Sequence, residues 1–199
     1  MRIAIFGGSF DPIHIGHLSI AEDARTSFGY DKILFFPSNI PPHKRPSQKV
    51  SAQARVQMTK LAIEGNESFA IDEYEVRTGG ISYTIDTIHH VMDSYDVTGK
   101  PGLIIGEDLL PGFHTWKDAE HIQKLVELLV ARRSLSPGQS GEGAGTAPSP
   151  SVQYEVVQNV LLPVSSSEIR KRVGSRLSFR YLVPESVYAY ISENELYAE

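Results

Sequence analysis

The sequence contains no cysteine, which excludes a disulfide framework and any metal site built on thiolates. It also has no apolar run near the ~20 residues that a membrane-spanning helix needs. The first residues, Met1-Arg2-Ile3, lead directly into an apolar stretch and show none of the architecture of a signal peptide. From these absences we expect a cytoplasmic protein with no membrane partner.

The sequence also has no excess of positive charge. The formal net charge is −5, with 19 Lys and Arg residues against 24 Asp and Glu residues. Bulk nucleic-acid binding usually requires a basic chain or stripe, so this balance argues against a nucleic-acid partner. The basic residues are instead local, at 43–45, 132–133 and 170–172. Small basic groups on an acidic protein favour a small anionic ligand.

The length of 199 residues and the 41% hydrophobic and 22% charged fractions are typical of one globular domain with a sizeable core. A Gly/Ser/Pro-rich segment of low complexity, residues 134–151, interrupts the chain. Fewer than 50 residues follow this segment, so we interpret it as a surface loop and not as a linker between domains. The expected organisation is one domain over residues 1–199.

Short apolar runs alternate with helical patterns along the chain. Strands are expected at residues 2–6, 32–36, 69–72, 102–105, 126–131 and 156–162. This alternation predicts an α/β fold, a Rossmann-like doubly wound parallel sheet of five to six strands with right-handed crossovers. Helices that begin near Ser165 and Pro184 are expected to add a small helical portion at the C-terminus.

The stretch Gly-Gly-Ser-Phe-Asp-Pro-Ile-His-Ile-Gly-His, residues 7–17, directly follows the first expected strand, and its glycine pair is expected to form a turn. Paired glycines allow backbone N–H groups to approach a phosphate, and the helix expected to follow has a partially positive N-terminus. A single histidine near a helix start is more often a cap or a surface residue. Two of them, His14 and His17, flank a glycine here and favour a nucleotide-phosphate site at the carboxyl end of a strand.

A second candidate site is Ser-Ser-Ser-Glu-Ile-Arg, residues 165–170. The serines and Glu168 are typical of a helix N-cap with a capping box. That interpretation alone does not explain the basic residues 170–172, because positive charge in the first turns opposes the helix dipole unless an anion is bound. The hydroxyls, the N–H groups of the first turn and Arg170 together indicate an anion site.

These two motifs resemble those of a known superfamily. Residues 7–17 resemble the HxGH signature of the nucleotidylyltransferases, and residues 164–170 resemble their second signature, Ile-Ser-Ser-Thr-x-x-Arg. Val164 and Ser167 are mild departures from that second signature. Further segments are similar to bacterial nicotinate-nucleotide adenylyltransferases: Asn-Ile-Pro-Pro-His-Lys at 39–44, Ser-Tyr-Thr at 82–84, Ile-Ile-Gly-Glu-Asp at 104–108 and Phe-His-Thr-Trp at 113–116. The resemblance runs in consistent order from about residue 2 to residue 191.

The resemblance implies transfer of AMP from ATP to nicotinate mononucleotide, which gives deamido-NAD and pyrophosphate in NAD biosynthesis. The phosphate of the acceptor would attack the α-phosphorus of ATP directly, since the sequence offers no evident nucleophile–base pair. Mg²⁺ would be bound mainly by ATP phosphates and water, so no metal-ligand cluster of the protein is expected. Both substrates are small molecules. The sequence does not specify an oligomeric state, and a homo-oligomer is compatible with it.

The resemblance also assigns site residues in this sequence. Charge on the phosphates would be stabilised by the catalytic residues His14, His17, Lys44 and Arg170. ATP, the co-substrate, would be bound by Gly7, Gly8, Ser9, Phe10, Gly106, Asp108, Ser166 and Ser167. The acceptor would be bound by Asn39, His43, Tyr83, Thr84, Trp116 and Arg133. A lone tryptophan is usually a core residue, but the polar surroundings of Trp116 favour stacking on a pyridine ring.

Several alternatives stay open at this point. Nicotinamide mononucleotide differs from nicotinate mononucleotide in needing an acceptor for its NH₂ group, and the sequence does not show which partner is offered. Phosphopantetheine adenylyltransferases and cytidylyltransferases share both phosphate signatures, but the Pro-Pro-His-Lys and Thr-Trp segments are not expected in them. Residues 14–17 also spell the HIGH motif of class I aminoacyl-tRNA synthetases, whose anticodon-binding domain and Lys-Met-Ser-Lys-Ser-like loop are missing from this sequence. A non-catalytic nucleotide-binding protein is the alternative outside enzymes, and the intact histidine pair argues against it.

Overall fold

A computed structural model describes residues 1–41, 50–132 and 152–198 of the chain. Within these ranges six strands form one sheet: β1 (Ile3–Gly8), β2 (Lys32–Pro37), β3 (Phe69–Ile71), β4 (Gly102–Gly106), β5 (Glu127–Ala131) and β6 (Glu155–Val157). Their order is β3-β2-β1-β4-β5-β6, and every neighbouring pair is parallel. This is the strand order of the doubly wound Rossmann fold, so the predicted fold class is confirmed.

Strand β1 lies inside the sheet, between β2 and β4, because it is apolar on both faces. Successive side chains of a strand point to opposite faces. Ile3 and Ile5 therefore enter the hydrophobic cluster on one side of the sheet, and Ala4 and Phe6 enter the cluster on the other. All four side chains are buried, as expected for a parallel strand that is covered on both faces.

Helices supply that cover. The α-helices in the described ranges are α1 (Ile15–Phe28), α2 (Ala52–Ile63), α3 (Tyr74–Thr78), α4 (Thr84–Ser94), α5 (Ala119–Leu125), α6 (Ser166–Gly174) and α7 (Glu185–Glu193). Two 3₁₀ helices span Glu107–Thr115 and Arg180–Leu182. A search of the described residues finds no helix with the length and apolar character needed to cross a bilayer.

The helices are divided between the two faces of the sheet. Buried residues of α1, α2, α6 and α7, among them Met58 and Val187, belong to the same cluster as Phe6. Buried residues of α4 and α5, among them Ile88 and Ile122, belong to the opposite cluster. The last two helices, α6 and α7, form the predicted helical portion at the C-terminus.

The direction of winding reverses between β1 and β4. Strands β2 and β3 extend from one side of β1, whereas β4, β5 and β6 extend from the other. In open α/β sheets, ligands bind in the crevice at the carboxyl ends of the strands at this point. Gly8 and Gly106, the last residues of β1 and β4, therefore mark where a site is expected.

The glycine pair does not form the turn that was expected from the sequence. Gly7 and Gly8 are the last two residues of β1, in parallel register with Phe36 and Pro37 of β2. The residue with left-handed backbone in the turn is instead Phe10, with a φ of 44°. The turn thus begins two residues later than predicted.

The last strand is shorter than predicted and ends at Val157. The side chain of Asn159 ends the pairing, since its Oδ1 accepts from the Arg132 backbone N–H at 2.9 Å and its Nδ2 donates to the Arg132 carbonyl at 3.0 Å. Residues 107–115 form a 3₁₀ helix, and neither this helix nor the short helices α3 and α5 were predicted. The low-complexity segment 134–151 lies outside the described residues.

The close contact between β4 and Tyr30 generates a stability prediction. A Cβ at Gly102 would lie 2.6 Å from Cζ and Oη of Tyr30 and 3.0 Å from Cβ of Ala4. The Tyr30 hydroxyl donates to Glu127 at 2.7 Å, so this ring cannot move without breaking a hydrogen bond. We expect Gly102→Ala to lower the free energy of unfolding in urea by about 1–3 kcal/mol, as overpacking does. Gly112→Ala is the control, because a Cβ there meets no atom within 4 Å; an equal loss in both variants would contradict the prediction.

Candidate active site

A cavity of about 950 Å³ lies at the carboxyl ends of β1 and β4. This volume is near the upper end of the range for small-molecule sites, which is about 300–1,000 Å³. The cavity is lined by most of the site residues expected from the sequence: Gly7, Gly8, Ser9, Phe10, His14, His17, Tyr83, Thr84, Gly106, Asp108, Trp116, Ser166, Ser167 and Arg170. Segments that are far apart in the sequence therefore converge on one site.

Asn39, which is expected to bind the acceptor, forms hydrogen bonds to a neighbouring segment. Its Nδ2 donates to the Gly80 carbonyl at 2.9 Å, and its backbone N–H donates to Ser82 Oγ at 3.0 Å. These bonds join the end of β2 to the segment that precedes α4. The expected site residues that fall outside the described ranges are His43, Lys44 and Arg133.

The two histidines lie at the start of α1. His14 is the N-cap residue, with an extended backbone, and only 2% of its surface is exposed. Nδ1 of His17 accepts a hydrogen bond from the His14 backbone N–H at 3.3 Å, and the two rings stack with centres 3.7 Å apart. Because Nδ1 is the acceptor, a neutral His17 ring carries its hydrogen on Nε2. The ring therefore offers an N–H donor at the cavity wall.

Close packing fixes the position of the His17 ring. The buried ring of Phe10 meets it edge-on, with 5.2 Å between ring centres. A Cβ on Gly8 would lie 2.9 Å from the Phe10 ring, and a Cβ on Gly16 would lie 2.9 Å from Cγ1 of Val164. The lack of a side chain at Gly8 leaves space for the Phe10 ring. The lack of a side chain at Gly16 allows the segment that leads into α6 to approach closely.

The serine hydroxyls at the start of α6 have structural partners. Ser165 is the N-cap residue, and its Oγ accepts from the Glu168 backbone N–H at 3.2 Å. Ser166 Oγ donates to the carbonyl of Pro12 at 2.9 Å. This second bond ties α6 directly to the loop between β1 and α1. The hydroxyls therefore hold the site together, which leaves N–H groups of the first turn of α6 as the groups that suit an anion.

Arg170 is held at the cavity wall by two hydrogen bonds. Its Nη1 donates to the backbone carbonyl of Asp11 at 2.6 Å, and its Nη2 donates to Ser167 Oγ at 3.1 Å. The distance from Nη1 to the nearer carboxylate oxygen, Oδ2, of Asp11 is 3.8 Å, which is too long for a hydrogen bond. The guanidinium group is thus oriented by neutral acceptors.

Tyr83 and Trp116 form an aromatic end of the cavity. Tyr83 is the N-cap residue of α4, and Trp116 packs on Phe113 with 5.1 Å between ring centres. Nζ of Lys117 lies 4.5 Å from the centre of the Tyr83 ring and 3.2 Å from both carboxylate oxygens of Asp86. A planar ligand ring that entered here would meet two aromatic side chains.

Two buried charged residues at this cavity, Arg55 and Glu75, were not predicted from the sequence. Arg55 on α2 donates from Nη1 to the Ser9 carbonyl at 2.6 Å and from Nη2 to the Asn39 carbonyl at 3.2 Å. Glu75 accepts from Thr87 Oγ1 at 2.6 Å. Burial lowers the pKa of Arg55 and raises the pKa of Glu75. A charged residue inside a helix is ordinarily solvent-exposed, so helical periodicity offered no signal for either one.

Three helix N-termini meet at the cavity, through His14 of α1, Thr84 of α4 and Ser166 of α6. Each N-terminus carries a partial positive charge, and Arg170 adds a full one. Asp108 lies in the first turn of the 3₁₀ helix after β4, where its carboxylate can accept from hydroxyl groups of a ligand. The arrangement suits a ligand with phosphates, hydroxyls and a planar ring.

Comparisons with known proteins agree with this chemistry. The model of the cytidylyltransferase-like family matches residues 5–172. A probable nicotinate-nucleotide adenylyltransferase of Borrelia garinii subsp. bavariensis is 40% identical over 199 residues, which cover 100% of this chain and 96% of the relative. Probable nicotinate-nucleotide adenylyltransferases of Treponema pallidum and Salinibacter ruber are 37% and 36% identical, with coverage of 98–99% in both directions.

Solved structures share the fold. A putative nicotinate-nucleotide adenylyltransferase of Vibrio parahaemolyticus covers 100% of this chain with a TM-score of 0.70 and 19% identity, and 97% of that protein is matched. The nicotinic acid mononucleotide adenylyltransferase of Plasmodium falciparum, complexed with NaAD, covers 98% with a TM-score of 0.74 and 17% identity, and 97% of that protein is matched. The resemblance noted from the sequence is thereby confirmed. The chain belongs to the cytidylyltransferase-like family of nucleotidyltransferases, and within it to the nicotinate-nucleotide adenylyltransferases.

Proposed function

We propose that this protein transfers AMP from ATP to nicotinate mononucleotide, with deamido-NAD and pyrophosphate as products. The observation that carries the proposal is the convergence on one cavity of the helix N-termini of α1 and α6 with the aromatic pair Tyr83 and Trp116. The two helix N-termini suit a triphosphate, and the two aromatic side chains suit a pyridine ring. The names of full-length relatives at 36–40% identity support the same reaction.

The protein's part in this reaction is to position the substrates and stabilise charge. A phosphate oxygen of the acceptor attacks the α-phosphorus of ATP, and the bond from that phosphorus to the β-phosphate's bridging oxygen breaks, so that pyrophosphate leaves. The Nε2–H of His17 is suited to donate to a phosphate oxygen as negative charge grows on it. His14, stacked on His17 and buried, sets the position of that ring.

Further contacts to the phosphates are proposed for groups at the start of α6. N–H groups of its first turn and the Arg170 guanidinium suit the β- and γ-phosphates, since these carry the charge that increases as pyrophosphate forms. Gly7, Gly8 and Ser9 also line the cavity and suit backbone contacts to the same ligand. Lys44 is proposed to reach the phosphates from its loop.

Mg²⁺ is proposed to bind through the ATP phosphates and water. Among the residues that the structure describes, no three His, Asp or Glu side chains are grouped so that they could hold a metal ion. A bare protein site for Mg²⁺ is not required, because this ion usually keeps several waters and binds with substrate phosphates. When bound, it would neutralise charge on the triphosphate.

Acceptor recognition is proposed to rest on Thr84, Tyr83 and Trp116. The backbone at the start of α4 offers N–H donors, which suit a nicotinate carboxylate better than a nicotinamide. His43, Arg133 and Asn39 stay proposed contacts of the acceptor. One domain over residues 1–199, with a surface loop at 134–151, and a cytoplasmic location complete the proposal.

An acceptor panel tests the proposed reaction. The protein is incubated with ATP, Mg²⁺ and one of three acceptors: nicotinate mononucleotide, nicotinamide mononucleotide or phosphopantetheine. We expect pyrophosphate release with nicotinate mononucleotide far above the other two, because the N–H donors at the start of α4 suit a carboxylate. If no pyrophosphate were released with any of the three acceptors, the proposal would be wrong. Faster release with phosphopantetheine would indicate a different acceptor specificity.

The histidine donor gives a second prediction. We expect His17→Ala to lower kcat by about 100-fold, which is typical for loss of one donor to a transition state. His89→Ala is the matched control, because His89 is an exposed residue of α4 and does not line the cavity. Steady-state kinetics with both substrates measure the effect. Wild-type turnover in His17→Ala would exclude this histidine from the mechanism.

A further inference from the structure

Arg55 on α2 joins the ends of β1 and β2 beyond the point where the two strands pair. At the end of the strands, the Ser38 backbone N–H donates to the Gly8 carbonyl at 2.9 Å. Ser9 and Asn39 follow these two residues, and their carbonyls accept from the same guanidinium group, at 2.6 Å and 3.2 Å. Arg55 therefore continues the connection between the two segments where the sheet ends.

Asn39 connects Arg55 to the start of α4. The backbone N–H of Asn39 donates to Ser82 Oγ at 3.0 Å, and the backbone N–H of Ser82 donates to the Ile40 carbonyl at 3.0 Å. Ser82 directly precedes Tyr83, the N-cap residue of α4. The position of Asn39 therefore influences the position of the segment that is proposed to bind the acceptor.

Ser9 lies at the other end of this connection, in the loop that is proposed to bind ATP. It precedes Phe10, whose ring meets the His17 ring edge-on. The Arg55 side chain thus contacts one segment from each half of the proposed site. Transfer between two substrates depends on how accurately they are held relative to each other, and a displacement of about 1 Å can slow a reaction about 100-fold.

The burial of a charge at this position argues against a role in packing alone. Only 4% of Arg55 is exposed, and burial lowers its pKa, whereas the charges of Asp11 and Glu75 raise it. Asp11 also accepts from the buried Tyr197 hydroxyl at 2.6 Å, and Glu75 accepts from Thr87 of α4 at 2.6 Å. An apolar side chain of similar size would avoid the cost of desolvation. The planar guanidinium group supplies what an apolar side chain lacks, several N–H donors at fixed spacing.

We propose that Arg55 is a positioning residue that fixes the distance between the ATP half and the acceptor half of the site. This inference rests on the adenylyl transfer proposed above. By holding the Ser9 and Asn39 carbonyls together, Arg55 keeps the two substrates at the spacing that in-line attack on the α-phosphorus requires. It acts through the backbone of these two segments and not on the reacting atoms.

The test compares ligands that occupy one half of the site with a ligand that spans both. ATP and nicotinate mononucleotide each represent one half, whereas deamido-NAD contains both nucleotides in one molecule. Linked groups gain affinity only where their spacing matches that of the two sites. The variant is Arg55→Lys, which keeps the positive charge but replaces the planar fork with a single ammonium group.

In Arg55→Lys we expect the dissociation constant for deamido-NAD, measured by calorimetry, to rise about tenfold, as for loss of one hydrogen bond to a charged group. The dissociation constants for ATP and for nicotinate mononucleotide are expected to stay at their wild-type values, because each half of the site keeps its own groups. We also expect kcat to fall by about tenfold or more with little change in either KM, since only the alignment is altered.

Arg2→Lys is the matched control. Arg2 also joins two segments, with donation to the Phe28 carbonyl at 2.7 Å and to the Glu127 carboxylate at 3.1 Å, and it does not line the cavity. Urea unfolding establishes that each variant is folded. Unchanged deamido-NAD affinity in Arg55→Lys, weaker binding of ATP or nicotinate mononucleotide alone, or an equal loss of deamido-NAD affinity in Arg2→Lys would overturn the inference.

A second variant tests the next link in the connection. Ser82→Ala removes the hydroxyl that accepts from the Asn39 backbone N–H and leaves Arg55 in place. We expect the same pattern, with weaker binding of deamido-NAD and wild-type binding of each single substrate. This variant also carries the test if Arg55→Lys does not fold. Wild-type affinity for deamido-NAD in Ser82→Ala would contradict the inference.

Failure of the inference can be separated from failure of the proposed reaction. If the wild type forms deamido-NAD and Arg55→Lys binds it like the wild type, the proposed role of Arg55 is wrong and the proposed reaction stands. If the wild type releases pyrophosphate only with a different acceptor, the proposed reaction is wrong. That acceptor and its adenylylated product then replace nicotinate mononucleotide and deamido-NAD in the same comparison, which still tests Arg55.

Discussion

Two hydrogen bonds between the loop after β1 and helix α6 hold the candidate site together. Arg170 donates to the carbonyl of Asp11 at 2.6 Å, and Ser166 donates to the carbonyl of Pro12 at 2.9 Å. They bring the N-termini of α1 and α6 to one cavity, although these helices begin about 150 residues apart in the sequence. The buried side chain of Ile169, which lies in the same hydrophobic cluster as Ile13, joins the same two segments.

The sheet determines where this meeting takes place. Winding reverses between β1 and β4, and in open α/β sheets ligands bind in the crevice at the carboxyl ends of the strands at this point. The groups around that crevice include backbone N–H groups, two imidazoles and the Arg170 guanidinium, which are suited to stabilising charge on phosphates. Such a site accelerates phosphoryl-type transfer by orientation and electrostatics and needs no nucleophile of its own.

The sequence was sufficient for local features and not for long-range ones. The apolar strands, the helix starts at His14 and Ser165 and the cavity position of Trp116 follow from short patterns, and the structure has them. The buried positions of Arg55 and Tyr197 could not be predicted, because each depends on a partner brought near only by folding. Gly8 was expected to form a turn. In the structure its missing side chain instead leaves the space that the Phe10 ring occupies. Short elements such as α3 and α5 have too few residues to show a period.

The most direct measurement concerns the stereochemistry at phosphorus. A single diastereomer of ATP with sulfur at the α-phosphate is used as donor, and the configuration of the phosphorothioate in the dinucleotide product is determined. Direct attack by the acceptor phosphate, with the protein acting only through positioned donors, predicts inversion at that phosphorus. Retention would require two displacements and a covalent adenylyl-protein intermediate, with a histidine such as His14 or His17 as the nucleophile, and would contradict the mechanism.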